Sequence, residues 1–253
     1  MKRYSLVFPI ILVLISIATI YSLFGQSRTR IVPNNAFRVG EKLTFSMGWG
    51  PIKAGTSTME VKEIMEINGR KAYHVISETK TNKFFDRIYK IRDINETFID
   101  VEGIYPLKYK KDIHEGKYKK KRETIFLQDK NIAIYKEKEI PVEPYVQDVL
   151  SAYYYVRTKD LIVGYSLILD VNNNGKNYKL KVKILKKERI STPAGKFDTI
   201  LIEPILIEGK SLKEEERLLM WLTDDENKVP VKIKSKIAVG SLLAKLKKME
   251  GVE

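Results

Sequence analysis

No cysteine occurs in the 253 residues, and histidine occurs only twice, as His74 and His114. Disulfide frameworks, thiolate zinc sites, cysteine nucleophiles and thiol-ligated iron–sulfur clusters are therefore excluded. Bacterial lipid attachment at a cysteine is excluded with them, and a multi-histidine metal site lacks imidazoles. Acidic residues are scarce relative to basic ones, with 32 Asp+Glu against 46 Lys+Arg and a net charge of +14. A hydrophobic fraction of 43%, with 14 Tyr and 9 Phe, is too much apolar material for a disordered polyanion-binding tail. The chain is expected to fold.

Long hydrophobic runs are missing except for one. Lys2 and Arg3 precede the uncharged stretch Tyr4 to Ser27, whose core from Leu6 to Phe24 is almost entirely aliphatic and aromatic. A positive segment before an apolar one is an export signal. Residues 1–27 are expected to be either a signal peptide, with Gly25 and Ser27 as the small residues for cleavage, or an inner-membrane anchor. The anchor would cross through residues 6–24, because at about 1.5 Å rise per residue that run approaches the bilayer's hydrocarbon thickness. Either way the remainder is expected outside the cytoplasm, in the periplasm or anchored facing it. Residues 28–38 read as a linker, and 39–249 as a single exported domain.

In that domain the dominant period is two. Lys179-Leu180-Lys181-Val182-Lys183-Ile184 sends three lysines to one face and three aliphatics to the other, the pattern of a half-buried strand. Further strands are expected at Leu43 to Met47, Thr58 to Val61, Tyr73 to Ser77, Arg87 to Ile91, Thr124 to Leu127, Ile132 to Tyr135, Leu167 to Val171 and Val231 to Ile237. Turn pairs such as Asn68-Gly69, Asn174-Gly175 and Ala194-Gly195 separate them. Ile200 to Ile207 and Leu218 to Leu222 are apolar on both faces, so each needs a second cover: a helix, another sheet or a bound apolar ligand. One helix is expected after Pro141 and Pro144. Its stripe is Val146, Val149, Leu150, Tyr153 and Tyr154, with Gln147, Asp148 and Ser151 off the stripe.

The chain also resembles itself at an offset of 124 residues. Val39-Gly40 with Leu43 matches Val163-Gly164 with Leu167, and Pro106, Lys108, Lys110, Ile113 and Gly116 match Pro230, Lys232, Lys234, Ile237 and Gly240. The expected fold is therefore mainly β: curved antiparallel sheets or a half-barrel made of two pseudo-repeated β-units, about 39–127 and 163–249. The connector and one bridging amphipathic helix occupy 128–162.

Several motifs together resemble a bacterial family known only as domain of unknown function 3108. They are Phe37-Arg38-Val39-Gly40-Glu41-Lys42-Leu43-Thr44-Phe45 followed by Trp49-Gly50 and Ala54-Gly55, then Gln147-Asp148-Val149-Leu150-Ser151-Ala152-Tyr153-Tyr154 with Arg157. Thr192-Pro193-Ala194-Gly195-Lys196-Phe197, Trp221-Leu222-Thr223-Asp224-Asp225 and Val229-Pro230-Val231 continue the series. The resemblance implies an exported, mostly β protein and carries no assigned activity.

Ser151, Asp148 and a histidine contain the ingredients of a hydrolase triad, but no nucleophile-elbow glycines surround Ser151 and it lies on a helix. Asp224-Asp225-Glu226 has the oxygens of a hard-cation site and equally the composition of a solvated turn. No catalytic residue, metal or cofactor is expected. The basic residues Lys119, Lys120, Lys121, Arg122, Lys179, Lys181 and Lys183 are candidates for an anionic surface. Export disfavours nucleic acid as the partner, and no aromatic-interleaved recognition motif is present. The function expected is a non-catalytic binding or carrier module for a lipid-like or anionic amphiphile, held under the helix within a basic rim. Tyr153, Tyr154, Trp221 and Trp49 are the candidate ligand contacts. The alternative is a structural or assembly partner of other envelope proteins, with an enzyme as the weakest reading.

Overall fold

The computed structural model describes residues 30–252 apart from 51, 208–217 and 238–239, so the signal or anchor segment lies outside the described residues. Period-two sequence becomes strand through most of the remainder. A first meander comprises β1 (Lys42–Trp49), β2 (Ile52–Ile67), β3 (Arg70–Thr81), β4 (Arg92–Asp100), β5 (Pro106–Glu115) and β6 (Tyr118–Leu127). The short β7 (Ile132–Tyr135) and β8 (Lys138–Pro141) extend it. A connector leads to helix α1 (Val149–Arg157). The second meander follows as β9 (Ser166–Asn173), β10 (Lys176–Thr192), β11 (Gly195–Ile207), β12 (Leu218–Thr223), β13 (Pro230–Ile237) and β14 (Gly240–Glu250).

These strands form one 14-stranded antiparallel sheet in the order β8-β7-β6-β5-β4-β3-β2-β1-β14-β13-β12-β11-β10-β9. The two meanders meet where β1 pairs with β14. Its edges, β8 and β9, do not pair with each other, so the curved sheet is unclosed. The connector covers part of the gap: Gln147 bridges to β9, donating its backbone N–H to the Asp170 carbonyl at 2.8 Å and accepting from the Asn172 N–H at 2.8 Å. Asn177 adds a 2.7 Å side-chain bond to the Pro141 carbonyl. These contacts satisfy part of an edge that would otherwise present free backbone groups.

The two meanders share local geometry. Gly40 (φ 91°) and Gly164 (φ 89°) both sit at a backbone angle that side chains disfavour. Gly40 donates its N–H to the Val61 carbonyl while Val61 returns a bond to Glu41; Gly164 donates to Ile184 while Ile184 returns one to Tyr165. Each acceptor is followed by a one-residue bulge, between Val61 and Glu63 in β2 and between Ile184 and Lys186 in β10. Bulges bend long strands and increase their twist, which suits these two, the longest in the sheet at 16 and 17 residues.

Two readings of the sequence are corrected. Arg87 to Ile91 is not a strand: a 3-10 turn occupies Phe85–Arg87, and Ile91 makes only an isolated bridge. Asn82 causes this, because its side-chain oxygen accepts the N–H groups of Phe84 and Phe85, each at 3.0 Å. The stretch read as a linker instead sends Val32, Ala36 and Phe37 into the core. Lys245, Lys247 and Lys248 belong to β14 at the seam, where a bulge skips Lys247 between the pairs Thr44–Lys248 and Phe45–Leu246. The core is therefore assembled from both ends of the described chain, with Phe45, Leu246, Val61, Ile99, Tyr154 and Val231 among its members.

Candidate functional site

Helix α1 sits inside this curvature and is buried on more than one side. Asp148 is its N-cap: the carboxylate accepts the N–H groups of Leu150 at 2.7 Å and Ser151 at 2.8 Å, while Ser151 Oγ accepts the Asp148 N–H at 2.9 Å. Such a reciprocal cap satisfies orphan donors of the first turn. Thr97 on β4 donates to the second carboxylate oxygen at 2.6 Å. Burial pushes the Asp148 carboxyl up to about 6, against these hydrogen bonds. Gln147, Asp148 and Ser151, read as lying off the apolar stripe, are buried, while Val149 on the stripe is exposed. A one-sided stripe describes a helix lying on a sheet; this helix is wrapped by one.

At the other end Arg157 is buried completely. Its Nη1 and Nη2 donate to the two Glu41 carboxylate oxygens, each at 2.6 Å, and Nη2 and Nε reach the Ala36 and Asn227 carbonyls at 2.7 and 2.9 Å. Burial opposes this charge, yet the neighbouring Tyr153 and the Glu41 carboxylate hold the guanidinium above its usual range. The motif residues Glu41 and Arg157 thus lock the helix end to the turn before β1.

Between α1 and the second meander lies an apolar groove of about 250 Å³. Val149, Ala152, Tyr153 and Val156 form its helical wall, and Leu180, Val182, Ile202, Pro204, Leu206 and Met220 are on the strands opposite. No charged residue lines it. This groove lies along the strands read as apolar on both faces. Part of their second cover is the helix, since Val156 packs with Ile200, Ile202 and Leu222.

Of the four residues expected to contact a ligand, only Tyr153 lines the groove. Its hydroxyl is buried without a hydrogen-bond partner, and burial raises its pKa above the ordinary tyrosine value. Tyr154 is fully buried, edge-on to Phe37 at 4.8 Å. Trp221 donates Nε1–H to Glu188 at 2.8 Å and lies under Lys232 at 4.1 Å, away from the groove that its neighbour Met220 lines. Trp49 is exposed at the end of β1. Strand alternation puts Lys179, Lys181 and Lys183 on the face of β10 opposite Leu180 and Val182, so they do not form the expected basic rim. Lys179 is paired with Asp170 at 2.6 Å. Lys119, Lys120, Lys121 and Arg122 lie on β6, far along the sheet order from β10. Sequence reasoning missed Ala152 and Pro204 in the groove; neither residue type signals a pocket.

The remaining polar candidates have structural partners. Ser151 serves the cap, and His74 binds Glu96 at 2.8 Å and stacks on Phe98. Asp225 accepts from Thr223 Oγ1 and the Lys228 N–H within a turn. Among the described residues no group of three or more His, Asp or Glu is arranged to hold a metal, and no helix is long and apolar enough to cross a membrane.

Among the described residues an unclosed antiparallel β-sheet curves around one α-helix, which defines the class as that of barrel-like β proteins. Within it, residues 44–247 match the family described as Protein of unknown function (DUF3108), and the chain belongs to that family. No curated protein matches. Among solved structures it is similar to a β-barrel-like protein of domain of unknown function DUF1849 from Brucella abortus. That pair shares 11% identity and a TM-score of 0.57 over 87% of this chain and 98% of the other, a likeness of fold alone. A hypothetical protein from Chlamydia trachomatis is 9% identical, with a TM-score of 0.39 over 84% of this chain and 87% of that one. A Bacteroides fragilis protein described as exported, with a YmcC-like fold, is 13% identical, with a TM-score of 0.31 over 87% and 99%.

Proposed function

We propose that this protein is a non-catalytic binding module, exported to the cell envelope, that holds the apolar part of an amphiphile in the groove between α1 and β9–β12. The observation that carries the reading is a difference between the meanders. Counted from their matching bulges, the pairs Met59–Ser77 and Ser57–Thr79 in the first occupy the places of Val182–Pro204 and Leu180–Leu206 in the second. Ser57 and Thr79 hydrogen-bond to each other through their hydroxyls at 3.0 Å, whereas Val182, Pro204, Leu180 and Leu206 all line the groove.

We read the two units, about 39–127 and 163–249, as a duplication in which the second has kept an apolar concave face. The groove lies just below the roughly 300–1,000 Å³ range of drug-sized ligand sites. It suits part of an alkyl chain with the head group outside. Export is supported by the basic and apolar N-terminal sequence.

The test is native mass spectrometry of full-length protein purified from its own envelope, followed by lipid extraction. A bound amphiphile in stoichiometric amount is expected. Recovery without one, under conditions that leave lipid on a known carrier, contradicts the reading and favours an assembly role.

A further inference from the structure

Antiparallel order places the turns after β1, β3 and β5 at one end of the sheet, and the structure ties them together. Asn82, just after β3, donates its N–H to the Ala54 carbonyl at 2.9 Å and its side-chain amide to the Lys53 carbonyl at 2.7 Å. Gly116, in the β5–β6 turn, donates to the Lys90 carbonyl at 2.8 Å, and the Tyr89 ring lies where a side chain at 116 would go. This end carries Trp49, Ile52, Phe84, Ile88, Tyr89 and Tyr118, each between 41% and 69% exposed. Interleaved with them are the exposed cations Lys53, Lys83, Arg87, Lys90, Lys117 and Lys119. Among the described residues none of these cations is ion-paired. The acid within the β3–β4 loop, Asp86, is already held by both Arg92 Nη groups, at 2.9 and 2.6 Å, and by Thr81 at 2.6 Å.

The exposed rings are presented by a built loop. The Asn82 cap and the Asp86–Arg92 fork fix the backbone from which Phe84 and Ile88 project, so their exposure is part of the fold. Water is a poor solvent for such a surface. Aromatic residues among lysines are the composition that settles at the level of lipid head groups, where rings find an amphipathic layer and cations find phosphates. Apolar insertion and basic charge together give stable attachment where either alone is marginal.

We infer that this end of the first meander docks on the surface of an anionic lipid bilayer. The inference is independent of the groove. It does place Leu206 and Leu218, which line the groove, at the same end of the sheet as the docking surface, because in the antiparallel order β11 ends and β12 begins at the end where β1 finishes.

The protein has two tryptophans, and Trp221 is buried, which makes Trp49 the reporter. Full-length protein is mixed with vesicles of equimolar phosphatidylglycerol and phosphatidylethanolamine carrying a trace of brominated lipid. Trp49→Phe supplies the Trp221 background, and Trp221→Phe provides a second, direct measurement. Trp49 emission is expected to shift to the blue and to be quenched. Phosphatidylcholine vesicles are expected to leave it unchanged. Lys117→Gln and Lys119→Gln should each weaken the quenching titration about fivefold. Unquenched Trp49 on anionic vesicles overturns the inference, whether the chain sediments with them through another segment or stays free to bind an acidic protein. Equal quenching by neutral vesicles overturns it as well.

Discussion

Arg157 and Glu41 are separated by 116 positions in sequence yet share two hydrogen bonds in the core. Removing one member of a buried, hydrogen-bonded pair strands the other, at a cost of about 3–5 kcal/mol. Arg157→Ala is therefore expected to lower the urea-unfolding free energy by that amount, and Arg157→Met combined with Glu41→Leu to recover most of it. A double variant no more stable than the single one would show that the carbonyl bonds to Ala36 and Asn227, and not the charge pair, carry the effect. Asp148 makes a second residue-scale prediction. Its folded pKa of about 6 lies above the ordinary 3.8, so its stabilising contribution is complete below the ordinary value and is lost as pH rises through about 6. The stability difference between wild type and Asp148→Asn should change by about 3 kcal/mol across that window, in favour of wild type at the acid end. A flat difference in urea midpoints across the window would contradict the assignment. Neither role was legible in the sequence, because a motif shows residue types and not the partners that a fold brings from far along the chain.

At the scale of the element, α1 shows what periodicity resolves and what it does not. The helix was legible from the spacing of Leu150, Tyr153 and Tyr154, and the turns from Asn68-Gly69 and Asn174-Gly175. Which side faces solvent was not, since the stripe argument assumes one buried face and this helix is enclosed. Arg87 to Ile91 alternates as a strand would, but Asn82 five residues earlier supplies the turn chemistry that folds it otherwise. In β14 the extra residue Lys247 broke the alternation and disguised a central strand. The groove follows the same logic. Ala152 is buried and lines it, so Ala152→Leu adds apolar volume into open space. Its unfolding free energy is expected within about 1 kcal/mol of wild type, whereas a filled interior would make the larger side chain cost about 1–3 kcal/mol.

For the whole molecule, the sheet's antiparallel character was legible from short alternating strands and frequent turns. The single continuous sheet was not, because the seam between β1 and β14 joins segments at opposite ends of the domain. The candidate site was legible only as a place: doubly apolar strands and one helix implied something between them, while the residues facing it depended on registers no local pattern reveals. The proposed function requires the groove beneath α1 to bind an alkyl chain. Titration of full-length protein with a fluorescent fatty acid, wild type beside Ala152→Leu, tests it most directly. Saturable binding at one site per chain, weakened about tenfold or more in a variant of unchanged thermal stability, is the predicted result; absence of saturable binding, or equal affinity in both proteins, would contradict it.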